Sequence, residues 1–360
     1  MIFARSPFIV TINELSQEST RLELFIWNGT GSAPATPTYS LSKKVPSINN
    51  LATYYNISPF LREYFDFTQS GAVATASTST ANQYSYCNVT YKRYYTLDGV
   101  ETLLNTTTDK AFDGFSYFND GSNYIGEPIL LTNRGFVDSN IFPLSNVYNY
   151  PCDIQDINDI GFVTIHTTTD WAVRYTNLDT NTTQTVNLSN NSVVNVRRIY
   201  SGWGGSGNKF EILLNNIVQS VFWFVPQCEC KYQVFKVDFI NRWGAWQREF
   251  FYKASTESIE MENNKFKANP VPFPAYDTKQ AQYQTFNTNG KRSYKLNTGW
   301  VNESYKQVIE EMLLSEVIRV NELPATLRTK SVEKFKSINT KTINYQMEFE
   351  MAYDVINSIS

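Results

Sequence analysis

The glycine-rich segment 202–207 (GWGGSG) is one place where residue type and spacing could support chemistry. Its glycines have the G-x-G-x-x-G spacing of a dinucleotide site, in which backbone without side chains approaches a pyrophosphate. Such a site also needs a helix directly after the glycines, because the helix N-terminus holds the phosphates. The following residues, 209–214 (KFEILL), have a strand pattern instead. We therefore interpret the segment as a hairpin loop with Trp203 at its tip and predict no bound cofactor.

Side chains suited to catalysis are sparse. The single histidine, His166, lies in a strand pattern whose nearest acidic residue is Asp170, so a nucleophile that used this base would lack an orienting partner. The carboxylates with the most aromatic neighbours are Asp113, Asp120 and Glu127, and by count alone they could serve glycoside hydrolysis. Asp113 and Asp120 each precede glycine, however, which is typical of turns. We predict that the chain is not an enzyme and has no catalytic residue.

The four cysteines do not have metal-binding spacing. Cys228 and Cys230 are separated by one residue, which is closer than the usual two-residue knuckle of a zinc site, and no second pair completes four ligands. Nothing at the N-terminus of the sequence resembles a basic region followed by an apolar run and a cleavage site, so we expect reduced thiols in a protein made in a cytoplasm. We predict no metal.

Composition and charge exclude two classes of partner. The 360 residues suffice for two or three domains, and the formal net charge is −3 with a pI of about 5.5. No positive excess exists to hold nucleic acid or an anionic membrane, and no apolar run reaches the roughly 18 residues of a membrane span. Aromatic residues reach 15% and charged residues 18%, so we expect much of the surface to meet other protein.

The aromatic stretch 238–255 (DFINRWGAWQREFFYKAS) has three competing interpretations. It could be core, with two strands joined at the tryptophans. It could be a sugar platform, in which Trp243 and Trp246 stack on pyranose rings. It could also be a subunit contact, because tryptophan and arginine dominate interface hot spots. The residues that we predict at an interface are Arg242, Trp243, Trp246, Arg248, Trp300 and Trp203.

The hydrophobic patterns predict a mainly β protein of tandem antiparallel β-sandwich or barrel domains, with one amphipathic α-helix packed in the C-terminal domain. We predict that residues 1–135 form an N-terminal β domain. Within it, the pattern of 8–27 indicates a β-hairpin, and the uncharged segment 68–83 indicates a flexible excursion. Residues 136–226 form a middle β-sandwich domain. Residues 227–360 form a C-terminal β domain with a helix over 302–319 and a half-buried strand over 344–353.

Segments at both ends resemble virion tail proteins of crAss-like and related Bacteroidota phages. The resemblance covers most of the length, although the middle of the chain is generic. The segments that carry it are RSPFIVTI (5–12), YSLSKKVPS (39–47), YNISPFLREYFDF (55–67), KVDFINRWGAWQREFFYKAS (236–255), GKRSYKLNTGWVNESYKQVIEEMLLSE (290–316) and TKTINYQMEFEMAYDVINSI (340–359).

The resemblance implies a structural component of a short, podovirus-type tail, a hub or a ring near the portal. It implies a homo-oligomeric ring of six or twelve copies that forms part of the DNA conduit, made in the bacterial host cytoplasm and located in the virion. The expected partners are other copies, other tail, portal-proximal and fibre proteins, and phage DNA in transient, non-specific passage. A receptor-binding tail module that recognises a host-surface glycan is the alternative that the tryptophans leave open.

Overall fold

The computed structural model describes residues 1–29, 31–47, 51–65, 67, 78–80, 86–123, 147–152, 162–167, 171–187, 195–200, 205–244, 246–268, 278–302, 305–331 and 342–357. The chain is mainly β, as predicted. The strands are Ile2–Phe3 (β1), Ile9–Ile12 (β2), Ser19–Asn28 (β3), Tyr39–Lys44 (β4), Thr53–Asn56 (β5), Thr78–Thr80 (β6), Cys87–Leu97 (β7), Val100–Phe112 (β8), Val147–Pro151 (β9), Phe162–Thr167 (β10), Trp171–Asn177 (β11), Thr183–Asn187 (β12), Asn195–Tyr200 (β13), Asn208–Leu214 (β14), Ile217–Gln227 (β15), Phe235–Ile240 (β16), Trp246–Phe251 (β17), Thr256–Lys267 (β18), Tyr283–Asn302 (β19), Ile318–Val320 (β20), Leu323–Leu327 (β21) and Thr342–Asp354 (β22). Among the described residues the α-helices are Ser58–Arg62 (α1) and Lys306–Leu313 (α2).

The chain divides into two compact units where we predicted three domains. Unit 1 contains 1–228 together with 239–248, and unit 2 contains 229–238 and 249–360. The predicted boundary at 226 lies two residues before the end of the first segment of unit 1. The predicted boundary at 135 lies outside the described residues, and the division into three domains stays a prediction. The short segment 239–248, which is the middle of the aromatic stretch, belongs to unit 1.

The N-terminal part of unit 1 is a five-stranded sheet with the order β1-β8-β7-β3-β4, beside the two-stranded sheet β2-β5. The predicted hairpin over 8–27 is wrong in its pairing: β2 and β3 are both strands, but β2 pairs with β5 and β3 pairs with β4 and β7. Helix α1 follows β5 and has Pro59 in its first turn, where the missing N–H of proline costs no helical hydrogen bond. The two sheets share a core whose members include Val10, Ile12, Leu22, Leu24, Tyr55, Ile57, Leu61 and Val89.

The rest of unit 1 contains a sheet with the order β12-β11-β14-β15-β9 and a three-stranded sheet with the order β10-β13-β6. The strand that we predicted directly after the glycines of 202–207 is confirmed as β14, so the requirement for a helix there is not met. Within the predicted excursion 68–83, the described residues Thr78–Thr80 form β6 and pair with β13, which corrects the prediction of a flexible segment at that point. Two edge pairs, β1 with β8 and β9 with β15, are parallel.

Two-residue turns fix the register of several antiparallel neighbours. The turn between β7 and β8 is Asp98-Gly99, with φ of 50° and 75°, and the turn between β14 and β15 is Asn215-Asn216, with φ of 50° and 64°. Both residues of such a turn need positive φ to match the twist of the strands, which explains the choice of Asp, Asn and Gly.

One disulfide corrects the expectation of reduced thiols. Cys152 and Cys228, both in unit 1, are bonded across a sequence separation of 76 residues. Cys87 is free and buried in the core of unit 1, and Cys230 is free and exposed.

The strands of unit 2 belong to a seven-stranded sheet with the order β17-β16-β20-β21-β22-β19-β18. The predicted strand over 344–353 is confirmed as part of β22, in which Tyr345, Met347, Phe349 and Met351 are buried. Tyr353, at the predicted end of this apolar face, is exposed.

The predicted helix over 302–319 is real but shorter. Asn302 does not cap it, because Asn302 is the last residue of β19 and pairs with Thr342, so the helix begins at Lys306. The helix ends at Leu313, and the apolar residues that follow form β20, where Ile318 and Val320 are buried on alternating positions. Within α2, Val308, Ile309 and Met312 are buried, as the helical stripe predicted. No helix among the described residues is both long and apolar enough to cross a bilayer.

Candidate interaction surface

Trp243, in the middle of the aromatic stretch, is buried in the interior of unit 1. Trp243, which we predicted at an interface, is 2% exposed, and its ring lies 5.7 Å from the ring of Phe3. The backbone N–H of Trp243 donates to Oδ1 of the buried Asn241 at 3.0 Å. The interface prediction for Trp243 is therefore corrected: the side chain offers no surface for a partner or for a sugar, because it is packed inside its own chain.

Two glycines allow the backbone around Trp243 to approach a second segment of unit 1. Gly244 has φ of +79°, and a Cβ at this position would lie 2.7 Å from the backbone nitrogens of Asp113 and Gly114. A Cβ at Gly114 would lie 2.6 Å from the carbonyl oxygen of Arg242. The backbone N–H of Phe115 donates to that same carbonyl at 2.8 Å. The single glycine of the aromatic stretch is thus needed for close packing of backbone on backbone.

Arg242 is also engaged within unit 1. Its guanidinium lies 2.5 Å from Oδ2 of Asp120 and 4.5 Å from the centre of the Tyr117 ring, and its side chain is 12% exposed. Asp120 additionally accepts the backbone N–H of Tyr117 at 2.8 Å, which closes a short 3₁₀ turn over Phe118–Asp120. The interface prediction for Arg242 is corrected for the same reason as that for Trp243, since its charge is already paired internally.

Two of the three carboxylates that we considered for glycoside hydrolysis, Asp113 and Asp120, contact other residues of unit 1 in ways that stabilise the fold. Asp120 holds the turn and Arg242, and Asp113 is buried with the guanidinium of Arg62 3.8 Å away. Glu127 lies outside the described residues. The backbone of His166 lies in β10 opposite Val196. The described part of the chain contains no group of three or more His, Cys, Asp or Glu side chains placed to hold a metal.

The remaining predicted interface residues differ in exposure. Trp246 is half-buried, and its ring meets the ring of Phe67 edge-on at 6.0 Å. Arg248 is half-buried in β17. Trp300, near the end of β19, is 72% exposed and lies opposite Asn344 of β22. Trp203 lies outside the described residues.

A surface that the sequence analysis missed is the strand at the end of the sheet in unit 2. All twelve residues of β18 are exposed, and among the described strands β18 pairs only with β19. Its apolar side chains Ile259 and Met261 are 52% and 68% exposed. Such an edge presents unpaired backbone N–H and C=O groups that can add another strand. We call β18, with this free backbone edge, the β18 edge.

The charges of the β18 edge are arranged by sign along the strand. The first seven residues of β18 carry Glu257, Glu260 and Glu262, and the last three carry Lys265 and Lys267. In this sequence, TESIEMENNKFK, apolar and polar residues alternate in part, but the apolar residues do not form a continuous face along the strand. Charged residues at both ends of a predicted strand are typical of exposed edge strands, so this pattern could have identified the edge from the sequence.

Two of these carboxylates are paired within unit 2. Glu257 lies 3.0 Å from Arg292, and Glu260 lies 2.7 Å from Arg328. Arg328 also lies 3.4 Å from Glu348 and 3.3 Å from Glu350. The hydrogen bond to Glu260 raises the pKa of the Arg328 guanidinium above its ordinary value. This network fixes the polar face of the sheet next to the β18 edge.

Beyond the last turn of α2, unit 2 also has an open groove of about 530 Å³. Its lining combines aliphatic, hydroxyl and charged side chains and contains no aromatic ring, so it lacks the stacking platform that sugar recognition uses. The lining residues include Glu310, Leu313, Glu316, Ile318, Leu327 and Lys330.

Comparisons with known proteins give no relative for this chain. No family model, no curated protein and no solved structure matches it.

Proposed function

We propose that the chain is a structural protein of a phage tail, a hub or ring near the portal, that assembles side by side with copies of itself into a ring of six or twelve. The observation that carries the proposal is the β18 edge, a twelve-residue strand that is exposed throughout and that pairs on one side only within the part of the chain that the structure describes. The resemblance of both ends of the sequence to tail proteins of crAss-like and related Bacteroidota phages supports the placement in a tail.

An edge of this kind favours assembly on physical grounds. Monomeric proteins usually shorten, bend or cover their edge strands, because an exposed edge pairs with other chains. Here the edge is long and keeps the exposed apolar residues Ile259 and Met261. Rings are built from a surface on one copy that meets a different surface on the next, so the β18 edge suits a ring when a second, different surface of the next copy receives it.

The charge of the chain fits the proposed surroundings. A net charge of −3 gives no general attraction to phosphates, which suits a conduit through which phage DNA passes without being held. Other tail, portal-proximal and fibre proteins would be its further partners, and the virion tail its location after synthesis in the host cytoplasm.

A receptor-binding module for a host-surface glycan is the second candidate, and the observation that favours it is Trp300. Trp300 is 72% exposed, and an exposed aromatic ring is a surface on which a sugar ring can stack. Trp243, which the sequence analysis offered for this role, is buried. Binding on a glycan array that is lost in Trp300→Ala, with the fold intact, would favour this function over a purely structural one.

The mass of the purified protein tests the proposed ring. Sedimentation velocity and native mass spectrometry over a hundredfold range of concentration should give one closed species of six or twelve chains. Proteomics of purified phage particles should find the chain in a fixed ratio to the portal protein. A protein that stays monomeric at every concentration, also when portal rings are added, and that is missing from particles would refute the proposal.

A further inference from the structure

We infer that the ring contact is an antiparallel pairing between the β18 edge of one copy and the free edge of β4 in the next copy. This inference rests on the proposed ring and specifies which surfaces form it. Strand addition supplies backbone hydrogen bonds for affinity, and side chains along the two strands determine register and direction. The second strand must therefore be exposed at its edge and complementary in charge.

β4 satisfies the first requirement. It is the last strand in its sheet and pairs only with β3 among the described strands. Ser40, Ser42 and Lys44 are exposed along it. Tyr39 and Leu41 pack against the core of unit 1, so the strand is held in place on one face while its outer edge stays open.

β4 also differs from the other strands that end a sheet in unit 1. Lys43 and Lys44 give it two positive charges, whereas the remaining terminal strands contain no Lys, Arg, Asp or Glu. Because the acidic half of β18 needs a positive partner, β4 is the complementary edge among the terminal strands of unit 1. The strand at the other end of the β18 sheet, β17, carries Arg248 next to Glu249 and is largely buried, so it offers no comparable positive edge. The uncharged terminal strands are β1, β2, β5, β6, β9, β10 and β12.

The order of charges along both strands selects the antiparallel direction. β18 is acidic in its first half and basic in its second. β4 has its lysines at its C-terminal end, while at its N-terminal end the Tyr39 hydroxyl donates to the carboxylate of Glu63 at 2.6 Å. Antiparallel pairing brings the lysine end of β4 to the acidic half of β18 and brings Glu63 to its basic half. Parallel pairing would oppose like charges at both ends.

Lys44 and Glu262 are the side chains available for this contact. The ammonium of Lys43 already donates to the carbonyl of Tyr54, and Glu260 is paired with Arg328. In the part of the chain that the structure describes, neither Lys44 nor Glu262 has a side-chain hydrogen bond or ion pair. An ion pair between Lys44 of one copy and Glu262 of the next would satisfy both.

Charge reversal tests this contact. Lys44→Glu and Glu262→Lys should each weaken self-association about tenfold or more, because every contact around the ring then opposes like charges. An equal mixture of the two variants should reassemble, since in an alternating ring both kinds of contact again join opposite charges. The double variant Lys44→Glu/Glu262→Lys should assemble alone. Circular dichroism and melting temperature of each variant check that the monomer is folded.

A crosslink gives a second readout that does not depend on the size of the charge effect. In a Cys230→Ser background, Lys44→Cys with Glu262→Cys should give an intermolecular disulfide ladder that ends at the ring size. Thr185→Cys with Glu262→Cys, which uses the uncharged β12 edge, should not.

The outcomes separate the inference from the proposed ring. If the unmodified protein forms rings, but both reversals assemble equally well and no ladder forms, the β4 contact is wrong and the ring stands. If the unmodified protein is monomeric under all conditions, the proposed function itself fails, and the contact with it.

Discussion

The guanidinium of Arg242 lies 2.5 Å from the carboxylate of Asp120, 122 residues earlier in the chain, and both belong to unit 1. The pair attaches the segment 239–248 to the turn at Phe118–Asp120, beside the buried ring of Trp243. The residues that appeared most suited to binding a partner therefore hold distant parts of one unit together.

Removing this ion pair should destabilise unit 1. Arg242→Ala should lower the free energy of unfolding by about 1.5–3 kcal/mol, because the hydrogen bond is charge-assisted and Asp120 would lose its partner. Arg292→Ala removes an ion pair whose side chains are 41% and 48% exposed, so it should cost clearly less stability than Arg242→Ala. Urea denaturation of both variants makes the comparison. Equal losses would show that the Arg242 contact is no stronger than a surface pair.

Gly244 should not tolerate a side chain. In Gly244→Ala the new Cβ would lie 2.7 Å from two backbone nitrogens at a φ of +79°, so we expect a loss above about 3 kcal/mol or failure to fold. Gly99 has a similar φ of +75° but no atom within 4 Å of the added Cβ. Gly99→Ala should therefore cost only the backbone strain, about 1–2 kcal/mol. Melting temperatures that fall equally in both variants would contradict the close approach.

The strands could be predicted from the sequence, but several of their partners could not. Alternation of apolar and polar residues identifies β2 and β3 as strands, because their buried faces require it. Nothing in that alternation specifies that β2 pairs with the distant β5, since pairing depends on which faces meet in the core. The helix was predicted too long because Val317 continues the helical spacing of the apolar residues in α2, and this local spacing does not distinguish more helix from the approach to a short strand.

The candidate surface was harder to predict, because exposure is decided by tertiary packing. Trp243 and Trp300 are the same residue type, yet one is 2% and the other 72% exposed. The composition of the aromatic stretch favours an interface as strongly as a core. The burial of Trp243 and the close approach of Gly244 to Asp113 show that this part of the stretch lies in the core, and neither follows from composition. The β18 edge has few aromatic residues, so its composition does not indicate an interface.

Thiol counting should identify the disulfide and the buried thiol. At pH 8 the native protein should react with a thiol reagent at Cys230 alone, and denatured but unreduced protein should react at Cys87 as well. Burial raises the pKa of the Cys87 thiol to about 12, so the neutral thiol is favoured in the folded protein. The stability from this group is complete below the unfolded thiol pKa of about 8.5 and is lost as the pH rises toward 12.

Breaking the disulfide should weaken unit 1. The double variant Cys152→Ser/Cys228→Ser should lose about 2–4 kcal/mol of unfolding free energy, because the unfolded chain is no longer closed into a long loop. Cys230→Ser, at an exposed free thiol, is the matched control and should unfold like the unmodified protein. Four reactive thiols in unreduced, denatured protein would exclude the disulfide.

Replacing tryptophan by alanine at two positions separates the core role from the surface role. Trp243→Ala should cost about 3–5 kcal/mol, because it leaves a cavity beside Phe3 in unit 1. Trp300→Ala should change stability by less than about 0.5 kcal/mol, because the ring is largely in solvent. Urea denaturation followed by circular dichroism measures both losses, and acrylamide quenching of the remaining fluorescence reports which ring was accessible. A Trp300→Ala variant that unfolds as readily as Trp243→Ala would place Trp300 in the core and remove it from any binding surface.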